Sequence, residues 1–102
     1  DSEVELRAAR MLVYDAASKV DAGQSGKVDA SICKLYGTET AGRVVDRAIQ
    51  MFGGMGVSQE MPLERWYREL RVKRIGEGPS EVHRMVIARD KLRNTSGGVY
   101  FS

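Results

Sequence analysis

The sequence predicts an all-α fold, an antiparallel up-down helical bundle made from at most one domain in its 102 residues. Three observations carry that expectation. Apolar residues recur three and four positions apart through long stretches, which places them on one face of a helix. No segment alternates in twos as a half-buried strand does. Glycine and proline fall in short clusters between the stretches, where they stop one helix and start the next.

The first helix is expected from about residue 3 to residue 22. Leu6, Ala9, Val13, Ala16, Ala17 and Val20 keep helical spacing, Ser2 and Glu5 have the spacing of a capping box, and Gly23 supplies a stop. A short turn over residues 23–26 leads into a second helix, with Gly37, Ala41, Val44, Ala48 and Phe52 on one side, ending at Gly53 and Gly54. Inside it, Gly37 and Gly42 each cost about 1 kcal/mol relative to alanine. The expected compensation is a neighbouring backbone passing close by. Pro62 suits the first turn of a shorter third helix holding Leu63, Trp66, Tyr67 and Leu70, which must give way before Gly76, Gly78 and Pro79. Pro79 opens a fourth helix with Val82, Met85, Val86 and Leu92 as its apolar face. That helix is expected to end near Asn94, ahead of a polar, glycine-containing tail that frays.

Composition narrows the function classes. A hydrophobic share of 42% and a charged share of 29% are ordinary for a globular chain. A net charge of +2 gives nonspecific nucleic-acid binding little basis, although five of the ten residues at positions 65–74 are Lys or Arg. That cluster reads as a solvated face or an interdomain ion-pair network. No apolar run approaches the roughly 20 residues of a membrane span, and no charged segment followed by an apolar one suggests a secretion signal. The single cysteine, Cys33, can form no internal disulfide and reads as a small buried helical residue in a reducing compartment. His83 has no Cys or His at ligand spacing, so no metal is expected and it reads as an exposed helix residue.

Positions 50–84 carry more than a bundle needs. Glu77 lies between two glycines just before the fourth helix, where backbone can approach a ligand closely and a helix N-terminus favours anions. Taken alone, such a glutamate is most often solvated, and the QMFGG segment is most often a glycine-capped helix end. Taken in order, Gln50, Gly53, Gly54, Gly56, Pro62, Glu64, Arg68, Glu69, Ile75, Glu77, Gly78, Ser80, Glu81, Arg84, Ile87, Ala88 and Arg89 resemble the C-terminal helical domain of the acyl-CoA dehydrogenases. The family pattern runs QxxGGxG, then PxE with an Arg-acid pair, then EG(T)SE and a closing IAR. The upstream segments ELRAARMLVYDAA and CKLYGTETA also resemble the family's preceding helices, so the resemblance covers nearly the whole chain.

The resemblance implies FAD as cofactor, an acyl-CoA as substrate, an electron-transferring flavoprotein as electron acceptor, and a homodimer or homotetramer. It puts Glu77 at the position of the base that removes the α-proton of the thioester while the β-hydrogen leaves as hydride, giving a trans-2-enoyl-CoA. Gly78 would lie against the thioester. Gln50, Met51, Phe52, Gly53 and Gly54 would contribute to the FAD site of a neighbouring subunit, and Pro79, Ser80 and Glu81 would lie near the flavin. A carboxylate suits proton abstraction when desolvation brings its proton affinity toward the working pH. The implied compartment is the cytoplasm of a bacterium or the mitochondrial matrix of a eukaryote.

Two positions depart from the family pattern. Pro79 stands where Thr is usual, removing a hydroxyl and a backbone N–H. Arg68 is followed by Glu69 in place of the commoner Asp. Some branches of the family put the base on an earlier helix and have no acid at this position, whereas here the acid is present. The resemblance further implies that the bundle lacks its first helix and belongs to a longer enzyme with an N-terminal helical and a middle sheet domain. Alternative readings are a flavin oxidase or monooxygenase of the same fold, or a non-catalytic helical assembly module.

Overall fold

A computed structural model describes residues 1–94; the fraying expected of the tail falls outside the described residues. The elements are α1 (Ser2–Asp21), α2 (Lys27–Phe52), a 3-10 turn (Gly53–Val57), α3 (Leu63–Lys73) and α4 (Ser80–Arg93). No strand occurs among the described residues, and no helix there is long and apolar enough to cross a membrane.

Polar pairs fix the direction of the first hairpin. Lys19 Nζ lies 3.0 Å from Asp29, Cys33 Sγ donates to the Leu12 carbonyl at 3.3 Å, and Glu5 bridges Arg43 and Arg47. Positions on α2 rise as those on α1 fall, so the two helices are antiparallel. The expected capping box does not form: Asp1 is the N-cap, Ser2 is already helical, and no side chain caps the helix. The Ser2 hydroxyl instead accepts from Arg47 at 3.2 Å, and Glu5 goes to the two arginines. Charged donors on α2 outcompete a backbone amide for the same oxygens.

On the other side of α2, Asp46 and Ile49 share a groove with Glu64, Tyr67 and Arg68 of α3, while Glu39 meets Arg74 and Ser31 meets His83. Together α3 and α4 retrace α2 in the opposite direction. They form one broken leg, and the break at residues 74–79 lies opposite the middle of α2.

The glycines divide differently from the sequence expectation. A Cβ at Gly37 would meet nothing within 4 Å, and one at Gly42 only the Arg74 guanidinium at 3.8 Å, so neither marks a close backbone approach within this chain. Gly56 does. A Cβ there would sit 2.6 Å from the Ile49 carbonyl oxygen, an overlap that only glycine avoids as the 3-10 turn folds back on α2.

Little is fully enclosed. Among the described residues Leu63 is the one buried large apolar side chain, and Ser31, Thr40 and Ser80 are buried polar ones. Val4, Met11, Val13, Val20, Met85 and Leu92 all lie exposed. The chain measures 55 × 26 × 24 Å with a radius of gyration of 16.7 Å, against about 13 Å for a compact domain of this length. It is a slender assembly with α2 as its spine.

Candidate active site

The break between α3 and α4 is built by backbone conformation. The amides of Ile75 and Gly76 both return to the Val72 carbonyl at 2.9 Å, closing α3. Glu77 then takes φ 55° and Gly78 φ 95°, two left-handed residues in succession. Among the described residues Glu77 is the one non-glycine with positive φ. A side chain held there costs on the order of 1–3 kcal/mol and persists only where neighbours enforce it. Pro79 is extended at φ −66°, ψ 162°, and caps α4. Its carbonyl accepts the amides of Val82 and His83.

The enforcing neighbours are on α2. Glu39 holds both ends of the loop: its carboxylate accepts from Ser80 Oγ at 2.8 Å and from Arg74 Nη1 at 3.2 Å. The Ser80 amide reaches the Arg74 carbonyl at 3.0 Å and closes the loop's neck. The Ser80 hydroxyl bond is the main reason the Glu39 carboxyl sits below its usual range; burial opposes the shift and Arg74 adds to it. Lys34 Nζ donates to the carbonyls of Gly76 at 2.8 Å and Gly78 at 3.0 Å, one on each side of Glu77.

His83 lies beneath this loop, and the reading of it as an exposed helix residue is corrected. Its Nδ1 is 3.0 Å from Ser31 Oγ, and its Nε2 is buried with no hydrogen-bond partner among the described residues. A Cβ on Gly78 would come within 2.9 Å of that Nε2. The imidazole therefore supports a backbone that only glycine can complete. One turn into α4, His83 points toward α2 because the loop tilts that helix end against Ser31.

Glu77 itself is exposed, and no hydrogen bond or ion pair reaches its carboxylate among the described residues. Its oxygens face solvent, open to a group approaching from outside the chain. Pro79 is half-buried beside it. Glu81 is exposed and pairs with Arg84 at 3.2 Å. Ser80 is only 4% exposed and gives its hydroxyl and amide protons to Glu39 and the Arg74 carbonyl.

The second group of expected site residues lies elsewhere. Gln50, Met51, Phe52, Gly53 and Gly54 are all exposed, Met51 by 80%, and no atom lies within 4 Å of a Cβ built on either glycine. The Gly53 amide returns to the carbonyls of Ile49 and Gln50, and the helix end here presents carbonyls, not amides. This segment fits a large, partly aromatic cofactor as an open ledge with an amide side chain at Gln50. It does not supply a backbone cradle for a diphosphate. From Glu39 to Phe52 the helix rises about 20 Å, so one chain does not bring the ledge and Glu77 into the same contact.

The arginine cluster is mostly solvated. Arg65–Glu69 at 4.0 Å and Arg68–Glu64 at 3.1 Å are exposed pairs one helical turn apart, worth a few tenths of a kcal/mol. Arg68 and Glu69, adjacent in sequence, do not pair because neighbours point about 100° apart around the helix. Cys33 is half-buried with its thiol on the Leu12 carbonyl, and burial raises its pKa. Sequence reasoning missed Ser31, Lys34 and Glu39. Ser31 and Lys34 share a helix face and Glu39, eight positions after Ser31, returns to the same broad side of α2, a polar signal indistinguishable from a solvated face until the loop is seen to rest on it.

The profile of the acyl-CoA dehydrogenase C-terminal domain matches residues 1–92. A 3-(aryl)acrylate reductase of Clostridium sporogenes is 44% identical over 91 residues, covering 89% of this chain and 24% of that protein. The short-chain specific acyl-CoA dehydrogenase of Megasphaera elsdenii is 42% identical over 93 residues, covering 91% of this chain and 24% of its own length. The solved structure of butyryl-CoA dehydrogenase from Megasphaera elsdenii superposes with a TM-score of 0.82 at 41% identity, covering 86% of this chain and 23% of that one. The chain thus spans about a quarter of the length of the relatives it matches.

Proposed function

The chain belongs to the acyl-CoA dehydrogenase family, as its C-terminal helical domain, and from that premise we propose that it carries the acid–base half of an FAD-dependent oxidation of an acyl-CoA to a trans-2-enoyl-CoA. The observation that carries this reading is the outward carboxylate of Glu77, fixed on a left-handed residue with no internal partner among the described residues.

Glu77 takes the α-proton of the thioester onto a carboxylate oxygen. Bound FAD would supply the acceptor for the hydride that leaves Cβ, so the substrate loses one proton and one hydride and gains the double bond. Gly76 and Gly78 have no side chains to stand between the carboxylate and a thioester laid across the loop. Gly78 also presents a flat backbone surface, kept so by the imidazole behind it. Substrate covering the loop excludes water from Glu77 and strengthens its pull on the proton.

At residues 50–54, Met51 and Phe52 would pack against the cofactor's apolar faces and Gln50 would hydrogen-bond its polar edge. Because that ledge is remote from Glu77 along α2, it serves the site of a second subunit in a homodimer or homotetramer. An electron-transferring flavoprotein is the proposed electron partner. The Clostridium sporogenes relative is called a reductase, and the same carboxyl group run in reverse would deliver a proton to the α-carbon.

The test is Glu77→Gln in the full-length enzyme carrying this chain. Turnover should fall by about 10²- to 10⁴-fold, the range for a lost general base, with FAD content and acyl-CoA affinity nearly intact. Glu77→Asp should keep partial activity, since the carboxylate remains but is withdrawn by one methylene. Flavin bleaching by substrate at the wild-type rate in Glu77→Gln, measured by stopped flow, would place the base elsewhere.

A further inference from the structure

The geometry points to Lys34 as the positioning residue that sets the conformation of Glu77, an inference that rests on the reading of Glu77 as the base. The Lys34 ammonium donates to the Gly76 carbonyl at 2.8 Å and to the Gly78 carbonyl at 3.0 Å. Those two carbonyls flank the one non-glycine residue that holds positive φ among the described residues. The Gly76 carbonyl precedes the φ and ψ rotations of Glu77 and Gly78, both of positive φ, and the Gly78 carbonyl follows them. Turning Glu77 back to the right-handed or extended region would swing one carbonyl away from the other. A single donor bonded to both therefore fixes the backbone between them, and with it the direction of the Glu77 side chain.

Lys34 is not an ordinary surface lysine. Arg43 and Arg47 on the same helix are committed to the Glu5 carboxylate. Lys34 is half-buried, forms no ion pair among the described residues, and directs its charge at neutral carbonyls. Ordering a long flexible side chain for that purpose opposes the bond, and charge-assisted donation to two acceptors offsets the cost. Glu39 fastens the loop's ends and His83 supports its floor from below. Neither bonds the carbonyls of Gly76 and Gly78 that bracket the two left-handed residues, a role left to Lys34. Its ammonium also offers three donors, so two can serve the carbonyls at once.

The experiment compares Lys34→Met, Lys34→Arg, Glu77→Gln and the Lys34→Met/Glu77→Gln double variant in the full-length flavin-loaded enzyme. Misplacing a catalytic group by about an ångström costs on the order of 10²-fold. Lys34→Met should therefore lower kcat by about 10- to 100-fold, with KM within about twofold and flavin content unchanged. Exchange of the acyl-CoA α-proton with deuterated solvent reads proton transfer at Glu77 without hydride transfer and should slow by the same factor. Amide exchange in the peptide spanning residues 74–80 should accelerate. Lys34→Arg, which keeps a charged two-pronged donor, should recover most of the rate. In the Glu77→Gln background, Lys34→Met should cause no further loss, because a positioning residue has nothing left to position.

A wild-type rate in Lys34→Met alongside a slow Glu77→Gln overturns the positioning role and leaves the base reading standing. A wild-type rate in Glu77→Gln overturns the base reading. Loss of flavin or of folding in Lys34→Met, or additive losses in the double variant, makes Lys34 a general structural residue and overturns the inference.

Discussion

At the scale of the residue, Glu77 trades stability for placement. Its left-handed backbone costs a side chain about 1–2 kcal/mol relative to glycine, whereas glycine loses roughly 0.5–1 kcal/mol more on folding through chain entropy. Strain relief and entropy nearly cancel with a small excess for relief, so Glu77→Gly should leave Tm unchanged or raise it while eliminating turnover. A clear drop in Tm in differential scanning calorimetry would show that the side chain stabilises the loop. Much of this was legible in the sequence. A glutamate between glycines ahead of a proline announces a tight turn, and the positive φ of Gly78 is what glycine permits. The positive φ of Glu77 was not legible, because it is imposed by Lys34, which lies 43 positions earlier. His83 was misread for the same reason. Its neighbours in sequence suggest a solvated helix start, and only the fold brings Ser31 and Gly78 against it.

At the scale of the element, boundaries followed glycine and proline, and helix starts and ends agree with the sequence expectation within about two residues. The capping box failed, since a local pattern competes with charged donors from another helix. The Glu39 junction between α2, α3 and α4 has a definite pH signature. Its carboxyl lies below 4.5 in the folded state, first through the Ser80 hydroxyl and then, after opposing burial, through Arg74. A depressed folded pKa contributes stability that is complete above the unfolded value and is lost as pH falls through the folded one. Glu39→Gln should therefore lower Tm at neutral pH, by a contribution on the order of 1–2 kcal/mol for hydrogen bonds to a charged acceptor. The gap to wild type should close as the pH is taken below about 4.5, the unfolded carboxyl's range. A constant Tm difference from pH 7 to pH 3 would remove Glu39 as the source. Lys34, which bonds uncharged carbonyls, should give no such acid-dependent gap.

At the scale of the whole molecule, the exposed apolar residues of α1 and α4 are the dominant fact. Val4 and Met11 line one open apolar face on α1, and Met85 and Leu92 line another on α4, so these exposures are clustered and not scattered singly. The 102-residue chain prepared alone should self-associate or unfold broadly, and it should bind FAD weakly, since the ledge proposed at Gln50, Met51 and Phe52 is open and would touch the cofactor from one side only. Sedimentation showing a monodisperse monomer with a sharp thermal transition, or calorimetry showing micromolar FAD affinity, would contradict this. The small residues inside α2 were the hardest to interpret from sequence. They suggested a tight partner backbone, yet within this chain Gly37 faces open space and Gly42 faces only a guanidinium. The broken leg of the bundle has a practical consequence for engineering. Because Ser31, Lys34 and Glu39 hold the loop from across the fold, the six-residue connection is not portable by itself. A designer who grafts residues 74–80 onto another scaffold without a facing helix bearing serine, lysine and glutamate at that spacing should obtain a floppy turn whose acid points at random.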